Sequence, residues 1–387
     1  MNLKLLQPIV REYLLEHLHV NAASFLLKSH PFDSISPQEL TQQLVGLQKA
    51  RLKFEPLFIN DQVIFPPKVN LEQTSSWSTA TYKANLFQGE KMIDLTGGFG
   101  IDTSAFAKAY TNTTHIELNK DLQRLAKQLF TAQELTTKSY AGDGLQYLTE
   151  STSLCDLIYI DPSRKTDTKS KAIQLEDYEP NVIKNLDLLL SKGKKVMIKT
   201  SPMLDITAGL KQLKNVCAIH IVAVKNDVKE LLWVLEKDVN EVIIHCVNLE
   251  SHQPNLVLNH NDTASIELSE PLDYLYEPNA AVMKSQAFGH LCQKYGVSKI
   301  DQDAHLFTGK KSIDFPGRTF LVEEVKAYKP KDIKRSYAKS HRAVVTRNFR
   351  ESVHQLRTKY QLKEHETDYL FFTSSMGKPI VIQAKKL

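Results

Sequence analysis

Two stretches of this 387-residue chain carry side chains whose types and spacing could do chemistry, and a third carries charge. The first is Met92-Ile93-Asp94-Leu95-Thr96-Gly97-Gly98-Phe99-Gly100, an apolar run that ends in three glycines within four positions. Glycines let a backbone turn sharply and approach a bound molecule at distances a side chain would block. Nucleotide phosphates are common guests of such loops, but the dinucleotide pattern G-x-G-x-x-G fails here, because Thr103 stands where its third glycine belongs. The second stretch is Asp156-Leu157-Ile158-Tyr159-Ile160-Asp161-Pro162-Ser163-Arg164, which places an acid at the end of an apolar run and basic residues just after it. Arg164 and Lys165 suit a phosphate. The third is basic: Lys326, Lys329, Lys331, Lys334, Arg335 and Lys339 lead into Arg342, Arg347 and Arg350, and Arg357, Lys359 and Lys363 follow. Tyr328, Tyr337, Phe349 and Tyr360 are interleaved with them. Cations among aromatics suit contact with a nucleic-acid backbone, and a solvated basic face is the plainer alternative.

Other chemistries lack a pattern. Cys155, Cys217, Cys246 and Cys292 form no C-x-x-C pair, which predicts neither a disulfide framework nor a zinc site and fits a reducing cytoplasm. His17 and His19 stand two apart on an expected helix and so point to different faces, and no metal site is expected. The hydrophobic content of 42% with 24% charged residues is that of a globular protein, and a net charge of +5 says little about partners until its distribution is read. The length predicts two or three domains. Pro8, Arg11 and Glu12 interrupt the first apolar residues, so no signal-peptide core is expected, and no run approaches a membrane span.

These residues need elements to position them. Residues 1 to about 70 read as helices, with Leu14, Leu15 and Leu18 on one face and Ser36-Pro37-Gln38-Glu39 in the form of a capping box. The polar segment from Gln73 to Lys83 reads as a linker or as a loop able to close over a ligand. From Lys91 strands and helices alternate: strands at Lys91–Thr96, Thr113–Leu118, Ser139–Gly142, Leu154–Asp161 and Lys195–Thr200. Leu122, Leu125, Ala126, Leu129 and Phe130 make one apolar helical stripe capped by Asn119, and a helix over Val182–Leu190 should end at Gly193. Ala218–Val224 and Glu230–Leu235 are strands whose connection is too short for a crossover helix, so they should pair antiparallel. Cys155 begins one strand and Cys217 precedes another, away from the carboxyl ends where a ligand would bind.

A parallel sheet that closes on an antiparallel hairpin resembles the class I S-adenosylmethionine-dependent methyltransferases. The resemblance implies an α/β, Rossmann-like seven-stranded methyltransferase sheet with its last strand antiparallel. It also implies S-adenosylmethionine as cofactor. Asp94 with Gly97, Gly98 and Gly100 matches the family's first motif, around the amino-acid part of the cofactor; Glu117 matches the acid that accepts from both ribose hydroxyls; Asp143 matches the acceptor for the adenine amino group. Each acid, taken singly, reads equally as a helix cap. Asp161-Pro162-Ser163-Arg164 resembles the Asp-Pro-Pro-x motif of nucleic-acid methyltransferases, which would make Asp161 the residue that orients the methyl acceptor. Pro162, Ser163 and Arg164 would then face the substrate, although the family's stacking aromatic is replaced by Arg164.

Tyr276-Glu277-Pro278-Asn279, Phe315-Pro316-Gly317-Arg318 and Arg347-Asn348-Phe349 resemble bacterial methyltransferases with a ferredoxin-like module and a C-terminal THUMP-like domain. That implies α+β C-terminal modules and structured RNA, tRNA or rRNA, as partner, held by Arg342, Arg347 and Arg350. The expected boundaries are 1–85, 86–238, 239–317 and 318–387. The expected activity is methylation of an RNA base at a purine nitrogen; a small-molecule or protein methyltransferase and a non-catalytic RNA-binding protein are the alternatives.

Overall fold

The computed structural model describes residues 1–164 and 175–387, without the side chain of Arg164. The chain divides into two compact units, one of residues 1–218 and 231–240, the other of residues 219–230 and 241–387.

In the first unit the strands are β1 (Gly89–Asp94), β2 (Tyr110–Glu117), β3 (Thr137–Ala141), β4 (Cys155–Ile160) and β5 (Gly193–Thr200). The hairpin of β6 (Val216–Val224) and β7 (Asp227–Leu235) continues the order as β6-β7-β5-β4-β1-β2-β3, within a nine-stranded sheet that Ile243–Leu249 and Leu256–Asn259 extend beyond β6. β1 pairs parallel with β2 on one side and β4 on the other, and β7 runs antiparallel to β5. Helices cover both faces, so the central strands are apolar almost throughout: Met92 and Ile93 of β1 and Leu157 to Ile160 of β4 are buried. The chain order reverses between β1 and β4, which opens a crevice at the carboxyl ends of these two strands. The hairpin turn is Lys225-Asn226 with φ of 50° and 66°, the left-handed pair that a two-residue turn of right-twisted strands requires.

The N-terminal helices form as expected around Pro37–Lys53, whose capping box is complete: Ser36 caps the Glu39 N–H and the Glu39 carboxylate returns to the Ser36 N–H. This helix lies so close to Phe65 that a Cβ on Gly46 would stand 2.2 Å from it. Gln43 donates to Val63 O at 2.6 Å and accepts from Phe65 N at 3.0 Å, tying segment 63–65 to the helix. The same segment reaches the helix Lys120–Ala132, where the Ile64 N–H donates to Gln128 Oε1 at 3.1 Å. The helical region therefore packs on the sheet domain rather than standing apart.

Three local expectations change. The polar segment before β1 is neither linker nor loop: Ser76 caps the helix Trp77–Ala84. The helix after the fourth strand is Leu186–Lys192, and Gly193 is extended at its end and opens β5 directly. Cys217 lies inside β6, its thiol donating to Val234 O at 3.3 Å, while Cys155 opens β4 as expected.

The second unit contains a hairpin of Ile243–Leu249 and Leu256–Asn259 and a seven-stranded sheet built from residues 274–386. Strands Asp368–Ser375 and Lys378–Lys386 are its long antiparallel pair. Alternate residues feed opposite faces: Leu370, Phe372 and Val381 join one cluster, and Phe371, Ile380 and Ile382 the other. No helix among the described residues is long and apolar enough to cross a membrane.

Candidate active site

The glycine loop follows β1 after Asp94 and is held by backbone hydrogen bonds. Gly97 N donates to Ile116 O at 2.8 Å, and Gly100 N closes back on Gly97 O at 2.9 Å. Gly98 and Gly100 adopt φ of 56° and 89°, which L side chains rarely tolerate. The three glycines differ in what surrounds them. A Cβ on Gly97 would stand 2.1 Å from the His115 ring and one on Gly100 2.6 Å from Phe130, whereas around Gly98 there is nothing within 4 Å. Open space above Gly98 is what a cradle for a bound group needs, while Gly97 and Gly100 are fixed from below.

Glu117, at the end of β2, is half-buried and grips this loop: Oε2 accepts from Gly98 N at 2.9 Å and Oε1 from Asn119 N at 2.8 Å. His115 lies fully buried beneath, its Nε2 3.2 Å from Gly98 O and its Nδ1 3.1 Å from Ser139 Oγ. Burial pushes the His115 imidazole down to about 4, so it stays neutral as a prop for the loop.

Asp94 points into the protein. Its carboxylate is 1% exposed and accepts from Thr103 Oγ1 at 2.7 Å and Thr96 N at 3.1 Å. Burial pushes it up to about 7, and the Thr103 hydroxyl offsets part of that rise. Asp94 thus shapes the loop from inside, and Thr103, the residue that breaks the dinucleotide pattern, is its partner. Asp143 is exposed and caps the helix Gly144–Glu150, its Oδ1 accepting from Leu145 N at 2.8 Å and Gln146 N at 3.0 Å. Asp143 thus serves as a helix cap.

Asp161 follows β4 immediately and is a neighbour of the loop: its N–H donates to Thr96 Oγ1 at 2.7 Å. Its carboxylate Oδ2 pairs with the Lys199 ammonium from the end of β5. Pro162 is buried and Ser163 exposed; Ser163 and Arg164 pair with Tyr178–Glu179 in a two-residue ladder. The Arg164 side chain and residues Lys165, Lys169 and Lys171 lie outside the described residues. Beneath Asp161 sits a polar cluster that sequence reasoning missed. Lys83, fully buried, lies 3.2 Å from Asp102 Oδ1, and Asp102 Oδ2 accepts from Ser75 Oγ and Tyr159 OH, each at 2.8 Å. Burial alone would raise the Asp102 carboxyl, but Lys83 and then Lys199 outweigh it and hold the group below its ordinary value. Lys199 had a signal, a cation at the carboxyl end of an apolar strand; Lys83 had none.

Other candidates fall away from the site. Burial raises the Cys155 and Cys217 thiols, which disfavours a thiolate nucleophile at either. Among the described residues no group of three or more His, Cys, Asp or Glu is placed to hold a metal ion.

The basic segment is corrected in two respects. Tyr328, Tyr337 and Tyr360 are buried in the core of the second unit with Phe349 packed against them, so they do not offer faces for bases. Arg347 pairs with the buried Glu277 at 2.5 Å, and Arg318 Nε donates to the same carboxylate at 2.7 Å. Arg347 is therefore engaged within the protein. Arg342 is half-buried with its guanidinium 5.7 Å from the Tyr337 ring centroid, and exposed Arg350 lies 5.8 Å from that of Tyr328. Lys331, Lys334, Lys339 and Lys363 are exposed.

The parallel sheet with its antiparallel closing strand and the glycine loop at its switch point make a Rossmann-like α/β fold of the methyltransferase kind, followed by ferredoxin-like and THUMP-like modules. Residues 274–316 match the ferredoxin-like domain family, and residues 317–386 match the family described as THUMP domain-like. No curated protein sequence matches the chain. Among solved structures, a candidate methyltransferase from Porphyromonas gingivalis W83 aligns over 98% of this chain and 97% of that one, with a TM-score of 0.86 and 24% identity, and so has the same fold. A candidate class I S-adenosylmethionine-dependent methyltransferase from Listeria monocytogenes is 14% identical over 63% of this chain and 94% of that one, with a TM-score of 0.38. The T. thermophilus 16S rRNA N2 G1207 methyltransferase, solved with AdoMet and guanosine, is 14% identical over 43% of this chain and 44% of that one, with a TM-score of 0.32.

Proposed function

We propose that the protein is an S-adenosylmethionine-dependent methyltransferase that modifies a purine nitrogen in structured RNA, tRNA or rRNA. One observation carries the reading: the open glycine loop at Gly98, the Glu117 carboxylate that grips it and Asp161 meet at the carboxyl ends of β1, β2 and β4. The donor and acceptor set fits the cofactor. On this reading the loop at Gly97, Gly98 and Gly100 receives its amino-acid part in the open space over Gly98, Glu117 supplies the ribose acceptor, and Asp143 accepts from the adenine amino group. When bound, S-adenosylmethionine supplies a methyl group already activated on its sulfonium.

The chain's own task is alignment. Asp161 accepts a hydrogen bond from the acceptor N–H and turns the nitrogen toward the methyl group. Ser163 faces the incoming nucleotide, and Pro162 stiffens the turn that presents it. A base within an RNA helix must be extruded to reach a crevice of this kind. The exposed lysines of the THUMP-like domain, with Arg350 and Arg342, supply the phosphate contacts. The P. gingivalis structure, described as a candidate methyltransferase, shares the fold.

The test is transfer of labelled methyl from S-adenosylmethionine to total RNA from cells lacking this protein. The expected outcome is label in one RNA species, abolished by Asp161→Ala at unchanged cofactor binding. Cofactor binding without transfer to any RNA would sink the RNA reading and point to another acceptor.

A further inference from the structure

We propose that Lys199 is a positioning residue of the transfer reaction, held in place by the polar cluster of Ser75, Lys83, Asp102 and Tyr159. The inference rests on the methyltransferase reading above and adds to it a second charged residue and the segment before β1.

The register sets the pair. Ile160 of β4 lies opposite Ile198 of β5, so Asp161 and Lys199 are the next residues along two adjacent parallel strands, both at the carboxyl end. The Lys199 side chain is 13% exposed, the Asp161 side chain 32%. An ammonium that far withdrawn from water needs compensating partners. It has them on both sides: Asp161 Oδ2 above, and Ser75 Oγ below at 3.5 Å. Ser75 Oγ in turn receives Lys83 Nζ at 3.0 Å and donates to Asp102 Oδ2, so one hydroxyl stands between two ammonium groups and a carboxylate. Two cations, Lys83 and Lys199, face two anions, Asp102 and Asp161, and Tyr159 OH fixes Asp102 from β4.

The consequence falls on Asp161. Its backbone is pinned to Thr96 and its Oδ2 to Lys199, while Oδ1 makes no hydrogen bond among the described residues. One carboxylate oxygen is used for orientation and the other is left for the acceptor. A plain strand-end ion pair would also stabilise the ends of β4 and β5, but it would not couple to Asp161 in the rate. Lys199 acts through Asp161 and touches no reacting atom, so its loss should appear in the transfer rate and not in cofactor affinity.

The experiment compares wild type, Lys199→Gln, Lys199→Arg, Asp161→Asn and the double variant Lys199→Gln/Asp161→Asn in single-turnover methyl transfer to total RNA, with cofactor binding measured in parallel. Lys199→Gln is expected to transfer about 10–100-fold more slowly at unchanged cofactor affinity, since misplacement of an aligning group has effects on that order. Lys199→Arg should recover part of the rate, and the double variant should be no slower than Asp161→Asn alone. If Lys199→Gln does not fold, Ser75→Ala, which keeps every charge, decides instead: slower transfer at unchanged cofactor affinity is expected, and a wild-type rate overturns the proposal. A Lys199→Gln rate equal to wild type, or losses that multiply in the double variant, overturns the positioning role and leaves the methyltransferase reading intact. Absence of transfer by the wild type overturns both.

Discussion

At the scale of single residues, the glycine loop separates two effects that its sequence runs together. Gly97→Ala would drive a Cβ into the His115 ring, which has both nitrogens engaged and is fully buried, so neither group can yield. We expect a loss of about 1–3 kcal/mol in stability together with loss of cofactor binding. Gly98→Ala meets open space and carries only the backbone strain of φ 56°, about 1–2 kcal/mol. Urea unfolding and equilibrium dialysis with the cofactor, run on both variants, separate the two. His115 also gives a pH dependence. Burial holds its imidazole near 4 against an ordinary value of 6.5, so the unfolded chain binds the proton more readily than the folded one. Its contribution to stability is fully present above about pH 6.5 and is lost as pH falls toward about 4, a total of about 3 kcal/mol. His115→Gln should lack this component, so unfolding free energies of the two proteins should converge as the pH is lowered through that window.

At the scale of elements, the helix Trp77–Ala84 and the segment before it do more than connect. Lys83 is its basic residue and the first cation acting on Asp102; Lys199, from β5, is the second. Lys83→Met would leave the Asp102 carboxylate buried with its nearer cation gone, a loss of about 3–5 kcal/mol. Lys83→Met combined with Asp102→Asn should regain much of it, because the buried charge goes with its partner. Chemical denaturation of the single and double variants checks this, and equal destabilisation by both would show that the cluster does not work as a charge pair.

At the scale of the whole molecule, the basic C-terminal segment divides into residues that hold the fold and residues that face outward. Arg347→Ala removes one of two guanidinium groups on the buried Glu277 and should lower stability by about 1–3 kcal/mol. Arg350→Ala should leave the thermal midpoint in place and reduce the slope of log affinity for RNA against log salt by about 1. Filter binding across a salt series, with melting curves on the same samples, distinguishes the two; an unchanged slope for Arg350→Ala would remove it from the RNA contact.

The alternation of strand and helix, the capping box at Ser36 and Glu39, the Asn119 cap and the hairpin after β5 were legible because each is set by local chemistry: periodicity, caps and short connections act within a few residues. The acids Asp94, Glu117 and Asp161 were legible as strand-end residues for the same reason. What each acid touches was not. Asp94 turned inward to Thr103 and Asp143 became a cap, while Glu117 reached the Gly98 N–H and Asp161 met Lys199. The buried tyrosines of the basic segment and the pairing of Arg347 with Glu277 were equally out of reach, since a cation–aromatic pattern along the chain does not say which side faces solvent. The cluster of Ser75, Lys83, Asp102, Tyr159 and Lys199 draws on residues up to 124 positions apart. Local propensity fixes where a side chain lies along its element; only the packing of elements against one another fixes its partner, because a buried charge is tolerated only where the fold brings a compensating one.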